Sequence, residues 1–105
     1  MIKKLLFIAL LLISAVSFSQ KTMKNLSAAP NPFVSSTTIS FESSTQQKTL
    51  ITIQNVLGKI VFSKQITVNK GKNSIPFHRN NLHSGIYIYT IRNNKETVSK
   101  RFVIR

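Results

Sequence analysis

The run Ile86-Tyr87-Ile88-Tyr89-Thr90-Ile91-Arg92 decides how this chain folds. In an extended backbone alternate side chains point the same way, so Tyr87, Tyr89 and Ile91 share one face and Ile86 and Ile88 the other. Apolar residues on both faces predict a central, largely buried strand. A strand of that kind needs neighbours, and the flanking sequence supplies them. Residues 97–104 place Phe102 and Ile104 on one face, after Asn93-Asn94, a pair that tolerates the positive φ of a tight hairpin.

The same alternation recurs upstream. Ile39 and Phe41 in 37–41, Ile51 and Ile53 in 49–55, and Ile75 and Phe77 in 73–77 each mark one face, and 59–67 reads as a further strand. Gly58, Lys70-Gly71 and Ser84-Gly85 punctuate these runs where the chain must turn. Pro76 inside its run predicts an edge strand or an unpaired amide, because proline has no N–H to donate. A short strand is expected near 25–28, within a loose, polar N-terminal tail. The fold class is therefore all-β: a small antiparallel immunoglobulin-like β-sandwich of six or seven strands.

Composition narrows the chemistry. The 105 residues hold 15 Lys and Arg against two acidic residues, a net charge of +13, with no Cys. The two acids are Glu42 and Glu96, and there is no Asp. A Ser-His-Asp triad, a thiolate nucleophile and Cys-ligated zinc are thereby excluded. Glu42 and Glu96 lie too far apart in sequence to be read as an acid/base pair, and His78 and His83 lack a third ligand nearby. No catalytic residue, cofactor or metal is expected, and the chain reads as a binding, targeting or structural module rather than an enzyme.

Its beginning reads as a leader. Lys3 and Lys4 precede an apolar run from Leu5 to Ile13, and Ser17 and Ser19 then stand two apart before Gln20. Small residues at that spacing suit signal peptidase, and the apolar run falls well short of the roughly 20 residues that span a bilayer. The expected organisation is a signal peptide over 1–19, cleaved between Ser19 and Gln20, a tail over 20–28 and one domain over 29–105. Cleavage leaves 86 residues at net charge +11 and no stable membrane insertion.

Four blocks then carry a resemblance. They are Pro30-Asn31-Pro32-Phe33 after Ala29, followed by Ser35-Ser36-Thr37-Thr38-Ile39-Ser40-Phe41; Asn55-Val56-Leu57-Gly58-Lys59-Ile60-Val61; Leu82-His83-Ser84-Gly85-Ile86-Tyr87; and Lys100-Arg101-Phe102-Val103-Ile104-Arg105. In this order they resemble the type A C-terminal sorting domain of type IX secretion, the Por secretion system. The resemblance runs from Ala29 to Arg105, with Gln54 where the family usually has an aromatic residue and His78 where it usually has an acid. It implies export across the outer membrane of a Gram-negative bacterium, by way of the periplasm, to the cell surface or extracellular space. The implied partners are the type IX secretion machinery, a cell-surface sortase and anionic lipopolysaccharide. The implied sorting-motif residues are Pro30, Asn31, Pro32, Phe33, Asn55, Leu57, Gly58, Gly85, Tyr87, Lys100, Arg101 and Arg105.

Beside the resemblance, each of these residues has a physical reading. Pro30 and Pro32 stiffen the loop, Phe33 docks as an apolar plug, Gly58 and Gly85 serve turns, and Tyr87 packs in the core with its hydroxyl at the rim. Only residues 20–28 separate the cleavage point from the first block, so the expectation is a sorting domain almost without cargo. The basic residues are scattered, without a phosphate loop or stacking platform, and nucleic acid is not expected. They read as a solvated basic face or as an attraction to anionic lipopolysaccharide. The competing function is a free-standing immunoglobulin-like adhesion or anionic-glycan-binding module.

Overall fold

A computed structural model describes residues 21–105. The expected leader and its cleavage point lie outside the described residues. Seven strands follow in order: β1 (Met23–Ala29), β2 (Ser36–Ser43), β3 (Gln47–Asn55), β4 (Ile60–Val68), β5 (Gly71–His78), β6 (Gly85–Arg92) and β7 (Thr97–Ile104). They form two antiparallel sheets, β1-β2-β5 and β4-β3-β6-β7. The fold is the all-β sandwich expected. Its fourth strand pairs with the third, whereas in constant-type immunoglobulin domains the fourth strand lies in the opposite sheet.

The run Ile86–Arg92 lies in an inner strand, β6, between β3 and β7. Tyr87, Tyr89 and Ile91 are buried, and Tyr89 stacks on Phe102 at 5.3 Å between ring centres. Ile51 and Ile53 of β3 and Phe102 and Ile104 of β7 join them. Met23, Leu26, Ile39, Phe41 and Phe77 close the core from the other sheet. Burial raises the pKa of the Tyr89 phenol.

Four expectations need correction. The second face of β6 is not buried: Ile86 is 44% exposed and Ile88 half-buried, because the described residues form two layers and none of them covers the outside of this sheet. The segment read as a loose tail with a short strand near 25–28 is core strand from Met23 onward, with Met23 and Leu26 both buried. A bulge between Lys24 and Ser27, with Asn25 at φ 57°, spaces those two residues by three and breaks the two-residue period.

The remaining two concern turns. Neither Asn93 nor Asn94 adopts positive φ; the side-chain Oδ1 of Asn93 instead accepts from the Lys95 and Glu96 N–H groups, both at 2.8 Å. Lys70-Gly71 does not close a hairpin but carries the chain from β4 in one sheet to β5 in the other. Pro76 does lie on an edge strand, since β5 pairs with β2 alone.

A candidate docking site at one end of the sandwich

The alternating strands sort the loops into two ends. One end carries the β1–β2 loop, the β3–β4 turn, the β5–β6 loop and the finish of β7. All three prolines, Pro30, Pro32 and Pro76, are there, and we call it the proline end. The other carries the start of β1, the β2–β3 and β4–β5 loops and the β6–β7 turn, with Glu96 in that turn and Glu42 one residue from the end of β2. This is the glutamate end.

At the proline end the segment from Asn31 to Phe33 lies along the free edge of β7. The Asn31 amide imitates a strand backbone: Nδ2 donates to the Arg101 carbonyl at 3.2 Å, and Oδ1 accepts from the Val103 N–H at 2.9 Å. One step on, the Phe33 N–H donates to the Val103 carbonyl at 3.0 Å, and the Phe33 carbonyl accepts from the Arg105 N–H at 2.8 Å. Phe33 and Ile104 thus form a parallel bridge, in a molecule whose sheets are otherwise antiparallel. The segment covers an edge that would otherwise offer unpaired amides to another chain.

Packing secures the same segment. The Phe33 ring is 3% exposed and meets Phe102 at 5.1 Å and Phe77 at 6.4 Å, both edge-on. The Thr37 hydroxyl donates to the Pro30 carbonyl at 2.7 Å. Both bonds entering Pro30 and Pro32 are cis.

Arg79 ties the neighbouring loops to this arrangement. Its guanidinium donates to the carbonyls of Leu82 at 2.9 Å and Val34 at 3.4 Å, to the Ser84 hydroxyl at 3.0 Å, and to the Arg105 carbonyl. Its own N–H donates to the Ser35 carbonyl at 2.9 Å. One rigid fork of five N–H donors therefore joins the β1–β2 loop, the β5–β6 loop and the last described residue. Sequence reading placed Arg79 among the scattered cations and missed this role.

The β3–β4 turn is built by Asn55. Its N–H donates to the Lys59 carbonyl at 2.9 Å, and its side-chain Oδ1 accepts from the Leu57 and Lys59 N–H groups, each at 3.0 Å. Gly58 turns the chain at φ 86°, a conformation that side chains disfavour. The backbone of Leu57 is held, yet its side chain is 89% exposed. On β6, the Tyr87 hydroxyl donates to the His83 carbonyl at 2.7 Å, fixing the loop that leads to Gly85.

The structure thus brings together Pro30, Asn31, Pro32, Phe33, Asn55, Leu57, Gly58, Gly85, Tyr87 and Arg105. Arg101 takes part through its carbonyl while its side chain is exposed, and Lys100, opposite Tyr89, lies further along β7 and outside the cluster. Among the described residues no three His, Cys, Asp or Glu side chains converge as metal ligands. No described helix is long and apolar enough to cross a membrane.

A comparison with known families matches residues 27–105 to the secretion system C-terminal sorting domain. The chain belongs to that family. No curated protein matches it. As a type IX sorting domain it is a secretion signal that works with the type IX machinery, in the export of proteins to the surface or exterior of Gram-negative bacteria.

The glutamate end is a different construction. The Glu96 carboxylate accepts from the Thr22 N–H and hydroxyl, both at 2.8 Å, and from the Met23 N–H at 2.6 Å. Asn93 and Gln47 extend the network to Thr22 and Ser43. Burial alone would raise the Glu96 pKa, but the Thr22 and Met23 hydrogen bonds and the charge of Lys21 outweigh it and hold the carboxyl below its ordinary value.

Proposed function

We propose that this chain is delivered to the periplasm by a signal peptide over residues 1–19 and that its proline end is then read by the type IX machinery. The reading is supported by the convergence, on that one end, of the Pro30–Phe33, Asn55–Gly58 and Gly85–Tyr87 blocks with the finish of β7. A surface sortase then processes the domain, with attachment to anionic lipopolysaccharide at the cell surface. Recognition works through a folded surface and not through a pocket, because the residues that converge are occupied in holding loops rather than lining a cleft.

The test inserts a periplasmic reporter after Gln20 of the full chain and expresses it in a type IX-competent bacterium and in an isogenic strain without the machinery. Reporter is expected on the surface of the first and in the periplasm of the second. Retention in the competent host overturns the proposal.

A further inference from the structure

We infer that the outer face of the four-stranded sheet, at the proline end, docks onto a protein surface that is apolar at its centre and rimmed by carboxylates. The partner is a component of the export machinery, so the inference rests on the sorting reading above and names the patch that reading would use.

The large exposed hydrophobic side chains of the described residues are Val34, Val56, Leu57, Ile60 and Ile86, and every one lies at the proline end. Ile60 and Ile86 stand at the starts of two strands of the four-stranded sheet, and Val56 and Leu57 stand in the turn at the same end of it. Ile60 stands opposite Gln54, Gln54 opposite Ile88, and Ile86 opposite the half-buried Val103; Val56 and Leu57 continue past the end of β3. Their exposures are 57% for Ile60, 44% for Ile86, 68% for Val56 and 89% for Leu57. The folded domain gains little from such side chains, and their gathering on one side marks a contact surface. The other sheet offers a contrast, with Ser27, Ser40 and Ser74 in one row of its outer face and Thr38 and Pro76 in the next.

Charge selects the occupant. Lys59 and Arg101 border the patch, and both acids of the chain lie toward the opposite end. A second copy meeting this one patch to patch would oppose cation to cation, whereas carboxylates on a different protein would complement it. A membrane surface suits it less well. Interfacial contacts favour Trp and Tyr, and here Trp is missing from the sequence and both tyrosines are buried. The aliphatic Val56, Leu57, Ile60 and Ile86 suit a protein surface better.

The test is made on the full chain with the reporter after Gln20. Leu57→Asp and Ile86→Glu should each lower surface reporter by roughly tenfold or more, the effect of losing one buried apolar anchor. Their melting temperatures should stay at the parent value, and Ser74→Asp on the other sheet should export as the parent does. Where a variant melts lower, a photoreactive residue at position 57 of the exported parent decides. An adduct with a component of the machinery supports the inference, and an adduct formed equally from position 74 overturns it. Parent-like export of both variants overturns the surface and leaves the sorting reading intact. Retention of the parent itself overturns the sorting reading and the surface with it. Binding of the purified chain to lipid A vesicles, lost in Leu57→Asp, would make the partner a lipid surface. A dimer in sedimentation, lost in the same variant, would make it a second copy. Either result overturns the protein partner.

Discussion

The two ends of this sandwich solve the same problem by different means. Each must tie together loops that strand pairing leaves free. The proline end does so with backbone-directed contacts around a buried ring: Asn31 and Phe33 on the β7 edge, and Arg79 on three carbonyls and a hydroxyl. The glutamate end uses a polar network centred on one carboxylate, whose partners are Thr22 and the first residue of β1, Met23. The first arrangement is held without a carboxylate side chain and presents apolar residues outward. The second is sensitive to pH and presents none of the large exposed hydrophobics. One end thus gathers the large exposed hydrophobic side chains, and the other gathers its hydrogen bonds around a carboxylate.

The strongest way to break the contrast is to remove Phe33. Phe33→Ala takes away the ring packed on Phe77 and Phe102 and should cost about 3–5 kcal/mol, most of the stability of a domain this small. Chemical denaturation should give that loss, and a cost below about 1 kcal/mol would show that the proline end is not anchored by this residue.

Arg79 comes next. Arg79→Ala should cost about 1.5–3 kcal/mol, in the range of hydrogen bonds to a charged group. Hydrogen exchange should accelerate first at the amides of Val103 and Arg105, and leave Met23 protected. Equal acceleration at both ends would contradict the separation drawn here.

At the glutamate end the effect is smaller and depends on pH. Glu96 titrates below its ordinary value in the folded chain, so its stabilisation is complete above the unfolded pKa of about 4.3 and is lost as pH falls through the folded value. Glu96→Gln should therefore flatten that part of the acid limb of the stability curve while leaving the proline end unaffected. An unchanged acid limb would remove the carboxylate from its central place.

The smallest effect has the opposite sign. The Thr49 hydroxyl is buried near the start of β3 without a hydrogen-bond partner. Thr49→Val keeps the shape and removes the unsatisfied group, so stability should rise by about 1 kcal/mol. A fall on thermal unfolding would mean the hydroxyl is satisfied after all.

How much of this was legible beforehand depends on what carried the information. Strands β2, β3, β6 and β7 were readable because Ile, Phe or Tyr recur at alternate positions on them, whereas the turns at Lys70-Gly71 and Asn93-Asn94 were misread. β1 was not, because the bulge at Asn25 shifts Leu26 onto the face of Met23 and erases the alternation. Most of the candidate site was visible as blocks, since each block also serves a turn or an edge that leaves a residue signature. Arg79 left none. Its partners are backbone carbonyls, which every residue possesses, and two of them lie 45 and 26 positions away. The apolar patch hid for a related reason: Ile86 looks like core until the layers are counted.

The parallel bridge between Phe33 and Ile104 has a consequence in time. Asn31 and Arg101 are 70 positions apart, so this contact closes a loop nearly as long as the domain. Its partners lie on β7, the last of the seven strands in chain order. Without β7 the Asn31 amide and the Phe33 N–H and carbonyl lack their partners. Closure of the proline end therefore waits for β7, and strands β1 to β6 cannot complete it by themselves.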